Sequence, residues 1–153
     1  MIVVGKTDEK YLQQGIDLYM SRLKHYINFD MVVVPSLKDA KGASPEEVKE
    51  REAALILKHL DRVDRVVLLD EHGTQHTSVD FAQYMQKQMN TGIKTLAFVV
   101  GGAFGFAPRI YAAAHDKVSL SPMTFNHQMV RLFFVEQLYR AFTILHHEPY
   151  HNA

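Results

Sequence analysis

Lys117 to Phe142 reads KVSLSPMTFNHQMVRLFFVEQLYRAF. KVSL has the character of a short strand, SPMTF is a hydroxyl-rich turn around Pro122, and the remainder is helical. That helix is apolar almost all the way round, with Arg131, Glu136, Gln137 and Arg140 set into it. A helix without a polar face wants protein on every side. A chain of 153 residues forms one domain, here 1–153, and one domain covers one face of such a helix. A second copy of the chain would cover the other, which predicts a two-fold homodimer through this helix.

Working outward, strands and helices alternate. Ile2 to Val4 reads as a strand, and Leu12, Ile16, Tyr19 and Leu23 recur at helical spacing. After the β-branched run MVVV (Met31 to Val34), Ser44-Pro45-Glu46-Glu47 opens a helix with Ser44 as N-cap, Pro45 at the first position and Glu47 closing a capping box. RVVLLD (Arg65 to Asp70) and TLAFVVGG (Thr95 to Gly102) read as buried strands, Thr77 to Met89 and Pro108 to Ala114 as helices. Strands that are apolar without alternation belong to a mostly parallel α/β sheet covered by helices on both faces. Ligands of such sheets sit beyond the carboxyl ends of the strands. Three of those ends are chemically unusual: LLDEHG (Leu68 to Gly73), VVGGAFG (Val99 to Gly105) and SLSPMTF (Ser119 to Phe125). If their strands are neighbours, the three turns line one crevice.

Composition narrows the chemistry. Seventeen basic residues balance seventeen acidic ones, so the chain lacks the basic excess by which most proteins grip naked nucleic acid. Cysteine is absent, which excludes disulfides, thiolate nucleophiles and cysteine-bound metals. No apolar run reaches the roughly 20 residues that cross a bilayer, and MIVVGKTDEK lacks the shape of a signal peptide. A cytoplasmic location without membrane attachment is the expectation.

GGAFG follows a strand and precedes a helix, a place where glycines let backbone approach a ligand. It is neither G-x-G-x-x-G nor a Walker loop. The acidic pair Asp70-Glu71 precedes the glycines by about thirty residues, the reverse of the dinucleotide-binding order. In the turn after KVSL, Thr124 or Asn126 would serve as a helix cap, or the hydroxyls would line a pocket, and both readings stand together. His127, His146, His147 and His151 have no helical ligand spacing, so no metal is expected. Glu136 and Arg140 are spaced for an i, i+4 ion pair. In the tail EPYHNA, Tyr150 and His151 matter only if a fixed surface receives them.

LDEHG, FVVGGAFG, SLSPMTFNHQMVRLFFVEQLYRA and EPYH, in this order, resemble the small SPOUT-class methyltransferases that modify N3 of a pseudouridine in large-subunit (23S) ribosomal RNA. The resemblance runs from IVVGK to the tail. It implies a C-terminal deep trefoil knot, S-adenosylmethionine as methyl donor, a homodimer, and ribosomal RNA within the assembled ribosome as substrate. It also implies that Leu69, Gly101, Leu120, Ser121, Pro122, Met123, Thr124 and Phe125 contact the donor. Arg140, Tyr150 and His151 would lie on the substrate side as catalytic residues, the tail reaching the partner's donor site. His151 or Tyr150 would assist loss of the N3 proton, and Arg140 would stabilise charge on the flanking carbonyls. The chain departs from the family pattern at Asn126 (commonly proline), His147 (commonly glycine) and His72 in DEHGT, where DERGK is commoner. Alternative readings are a non-catalytic nucleotide-binding module and a ribosome-associated dimeric factor.

Overall fold

The computed structural model describes residues 1–152 and contains the elements β1 (Ile2–Val4), α1 (Lys10–Leu23), β2 (Val32–Val34), α2 (Pro45–Lys58), β3 (Arg65–Gln75), α3 (Ser78–Asn90), β4 (Leu96–Val100), α4 (Pro108–Ala113), β5 (Asp116–Ser119) and α5 (Met129–Leu145). The five strands form one parallel sheet in the order β2-β1-β4-β3-β5. Apolar character is continuous along the strands because both faces are covered. Val67, Leu69, Phe98, Val100 and Val118 face α1, α3 and α5, while Val66, Leu68, Ala97 and Val99 face α2 and α4. Successive residues of each strand thus feed opposite cores.

Local signals set the ends of the helices. Ser44 Oγ accepts from Glu47 N at 3.2 Å and Glu47 Oε2 accepts from Ser44 N at 2.8 Å, so the capping box at the start of α2 is complete. Thr77 caps α3 by accepting from Asp80 N at 3.1 Å.

α5 packs between α1 and α3, burying Phe134, Val135, Leu138, Ala141 and Phe142. One domain covers more of this helix than its composition suggests. Met129 and Phe133 are the large apolar side chains of α5 that stay exposed, with Glu136, Gln137 and Arg140 half-buried further along.

β3 departs from expectation. It does not stop at Asp70 but continues to Gln75. Leu69 and Thr74 both pair with Val118, so Asp70 to Gly73 are thrown out of the ladder as a bulge before the strand rejoins β5. The rejoining needs glycine: a Cβ on Gly73 would lie 2.7 Å from the carbonyl carbon of Lys117. This repairing is a long-range event with no local signature.

Candidate active site

β4, β3 and β5 are neighbours, and the segments at their carboxyl ends surround one cavity of about 510 Å³. Three segments make its wall: the β3 bulge, the Gly101–Gly105 turn and the stretch after β5. The glycines are required by the turn itself. Gly105 has φ +80° and donates from its N–H to Gly102 O at 3.1 Å. A Cβ on Gly102 would lie 2.5 Å from Oε2 of Glu52, a buried carboxylate of α2 whose Oε1 accepts from Leu37 N at 3.0 Å. The turn is therefore wedged against a fixed side chain and leaves Gly101 facing the cavity.

After β5, the hydroxyls are spent within the wall. Ser119 Oγ donates to Ser121 O at 2.9 Å, and Ser121 Oγ accepts from Met123 N at 3.0 Å. Thr124 Oγ1 donates to Glu71 and so ties this wall to the β3 bulge. The cap falls to Asn126, whose Oδ1 accepts from Gln128 N at 2.8 Å and Met129 N at 3.4 Å. Phe125 stacks on Phe133 at 5.1 Å, joining the wall to the exposed stripe of α5. Of the residues expected to contact a donor, Leu69, Gly101, Leu120, Ser121, Met123, Thr124 and Phe125 line the cavity, while Pro122 is exposed and stays off its wall.

Sequence reasoning passed over other parts of the wall. Tyr111 of α4 donates to Asp70 Oδ2 at 2.6 Å, and His72 N donates to Asp70 Oδ1 at 2.8 Å. Burial pushes the Asp70 carboxyl up, but these two hydrogen bonds, with the attraction of His72 and Lys117, together hold the group below its ordinary value. Burial and the Asp70 carboxylate together push the Tyr111 hydroxyl up to about 12. His127, also on the wall, is held below the ordinary imidazole value by burial and then by the nearby Arg131 and Lys38.

Arg131 was the other omission. It is fully buried, yet its guanidinium donates to Val4 O at 2.6 Å, Gly5 O at 2.8 Å, Thr7 Oγ1 at 3.1 Å and His127 O at 3.1 Å. Burial lowers its pKa to about 10. A buried cation satisfied by carbonyls pins the first turn of α5, and with it the cavity wall, to the end of β1. Only the absence of an obvious partner in an apolar helix hinted at it.

Arg140, Tyr150 and His151 are brought together, but away from this cavity. From Val130, which lines it, to Arg140 is a rise of about 15 Å along α5. Glu136 Oε1 accepts from Arg140 Nη2 at 2.6 Å and from Tyr150 Oη at 2.9 Å. The Tyr150 hydroxyl also lies 3.2 Å from that of Tyr19 on α1, and the Arg140 guanidinium stacks 4.7 Å from the centre of the Tyr150 ring. Burial, then the bonds to Tyr19 and Glu136, push the Tyr150 hydroxyl well above its ordinary value, so it is a protonated phenol. The Glu136 hydrogen bond raises Arg140 above its already high value. His151 Nδ1 is 3.3 Å from Arg140 Nη1. A guanidinium only donates, so Nδ1 accepts and the proton of the neutral ring is on Nε2.

The surface that receives the tail is the chain's own α1 and α5. The tail leaves α5 through a Schellman motif in which Glu148 N donates to Thr143 O at 2.9 Å and His147 N to Ile144 O at 3.1 Å. His147 occupies the left-handed position at φ +56°, where glycine is favoured. Among the described residues, no group of three or more His, Asp or Glu side chains is placed to hold a metal ion. No helix there is long and apolar enough to cross a membrane.

A family model described as "Predicted SPOUT methyltransferase" matches residues 1–151. The chain is 55% identical over 152 residues to the ribosomal RNA large subunit methyltransferase H of Flavobacterium johnsoniae, covering 99% of this chain and 97% of that protein. Proteins of the same name from Phocaeicola vulgatus and Christiangramia forsetii are 55% and 53% identical over the same shares. Among solved structures, a probable methylase family protein from Haemophilus influenzae is similar with a TM-score of 0.53 at 16% identity. The match covers 95% of this chain and 65% of that one, and it speaks for the fold alone. These matches set aside the non-catalytic readings: the chain is an enzyme and belongs to the SPOUT methyltransferase family.

Proposed function

We propose that this enzyme transfers a methyl group from S-adenosylmethionine to N3 of a pseudouridine in 23S ribosomal RNA, acting as a homodimer on the assembled ribosome in the cytoplasm. The observation that carries the proposal is the separation, within one chain, of a donor-sized cavity from the cluster of Arg140, Tyr150 and His151. The cavity suits the donor. Its volume lies in the range of small-molecule sites. It offers apolar walls at Leu69, Leu120 and Met123, carboxylates at Asp70 and Glu71 for a cationic, hydroxyl-bearing ligand, and a glycine turn for close backbone approach. The names of the relatives point to ribosomal RNA as substrate.

S-adenosylmethionine supplies an electrophilic methyl group, and the protein supplies position and electrostatics. A second copy, docked on the exposed stripe of Met129 and Phe133, presents its Arg140, Tyr150 and His151 to the first copy's cavity. The tail then needs no excursion, because its own α5 carries it across the interface. Arg140 steadies negative charge on the carbonyl oxygens flanking N3. The N3 proton leaves toward His151 Nδ1 once its contact with Arg140 opens, since Nε2 already carries a proton, and Tyr150, held as a neutral phenol by Glu136 and Tyr19, positions or relays. The trefoil knot belongs to the same proposal, with the segment after β5 threaded past the loop after β4.

Incubation with ribosomes and labelled S-adenosylmethionine, followed by mapping of the modified nucleotide, tests it. Label on one pseudouridine of large-subunit RNA is expected. Label elsewhere, or equal rates on free RNA and ribosomes, contradicts it.

A further inference from the structure

Arg22, at the end of α1, stands out among the cations. Its guanidinium lies 5.4 Å from the Tyr19 ring centre and 5.5 Å from that of Tyr139. Among the described residues it has no ion pair and no side-chain hydrogen bond. The two carboxylates of the surrounding cluster are engaged elsewhere: Glu136 with Arg140 and Tyr150, Glu148 with the Tyr26 hydroxyl. Tyr139 in turn contacts Tyr150 edge-on at 4.8 Å, and Tyr150 carries Arg140 on its face. Arg22 and Arg140 are thereby joined through one block of aromatic rings.

An arginine paired to a carboxylate has part of its donor fork and most of its charge committed. One held by ring faces is oriented while its five N–H groups remain available. Its half-buried stem also has little freedom left to lose on binding. A planar fork of free donors fits one chemistry above others, the bidentate recognition of a phosphate. A chain with no net charge has no general basic field to hold RNA, so individual placed cations must register the strand.

We infer that Arg22 binds a backbone phosphate of the RNA strand whose base is presented to Arg140 and His151. This rests on the proposed function and adds the residue that sets the strand's position. Arg22 touches no reacting atom in this account; it is a substrate-binding residue.

The test compares wild type with Arg22→Gln and Arg22→Lys on large ribosomal subunits, across a range of salt, alongside calorimetry with S-adenosylmethionine. Arg22→Gln is expected to raise the KM for ribosomal subunits about tenfold with kcat retained, and to flatten the salt dependence of binding by about one phosphate contact. Arg22→Lys should keep the salt slope while losing part of the affinity, because an ammonium cannot make the bidentate contact. Donor affinity and melting temperature should match wild type in both. Unchanged KM and salt slope in Arg22→Gln, or a KM rise accompanied by lost donor binding and lowered melting, would overturn the inference and leave the proposed function standing. Wild type that neither binds the donor nor methylates ribosomes would overturn both.

Discussion

Tyr150 Oη reaches the same carboxylate oxygen of Glu136, at 2.9 Å, that Arg140 Nη2 reaches at 2.6 Å. One acceptor thus fixes both the tail and the arginine of the proposed substrate side. Glu136→Gln removes the negative charge and leaves a neutral carbonyl oxygen, a weaker acceptor, to hold both donors. Methylation is expected to fall between about 10-fold and 100-fold while S-adenosylmethionine binding by calorimetry stays near wild type. His151→Ala should show the same split. Loss of donor binding in either variant would mean that the cluster supports the fold.

His147 sits in the left-handed region at the position of the Schellman motif that glycine prefers. His147→Gly removes a backbone penalty of about 1 kcal/mol, offset in part by the entropy glycine loses on folding. The melting temperature is expected to rise by about 1–3 °C, read by differential scanning calorimetry. A fall would show that the imidazole makes a stabilising contact that outweighs its backbone strain.

Arg131 is buried against the carbonyls of Val4, Gly5 and His127. Arg131→Met leaves those carbonyls without a donor while preserving most of the side-chain volume. A loss of about 2–4 kcal/mol in denaturant unfolding is expected. Donor binding should weaken as well, because the first turn of α5 supports the cavity wall.

The Tyr111–Asp70 hydrogen bond makes a prediction at both ends of the pH scale. Asp70 has a folded pKa below its ordinary 3.8, so its contribution to stability is present above that value and lost as pH falls below it. Tyr111 has a folded pKa raised from 10.0 to about 12, so its contribution is present below pH 10 and lost as pH rises toward 12. Tyr111→Phe should move the Asp70 carboxyl titration upward in an NMR titration. It should also remove one late-titrating tyrosine from the alkaline absorbance curve. An Asp70 titration unchanged in Tyr111→Phe would assign the depression to the His72 amide and the neighbouring cationic groups instead.

Much of the scaffold was readable before any coordinates. The apolar runs at Val66 to Leu69 and Ala97 to Val100 declared a sheet covered twice, and Ser44, Pro45 and Glu47 declared a helix start, because each depends on neighbours in sequence. The meeting of three strand-end turns followed once β4, β3 and β5 were adjacent. The remainder depended on contacts between distant residues. The bulge at Asp70 to Gly73 exists because Thr74 finds Val118 a second time. Arg131 is a charge in an apolar helix whose partners Val4, Gly5 and Thr7 lie more than a hundred residues away. Tyr19 gave only helical periodicity, and its meeting with Tyr150 appears once the tail has folded back.

The central claim is that one active site takes its cavity from one subunit and Arg140, Tyr150 and His151 from another. The direct measurement mixes two inactive proteins under conditions that exchange subunits. One is Gly101→Leu, whose Cβ would meet the Gly105 backbone at 3.2 Å and so distort the turn that lines the cavity; the other is His151→Ala. Each mixed dimer then holds one intact cavity opposite one intact cluster, so methylation of ribosomes should return to a substantial fraction of the wild-type rate. Mixed dimers that form and stay inactive would place both halves of the site in a single chain and contradict the account.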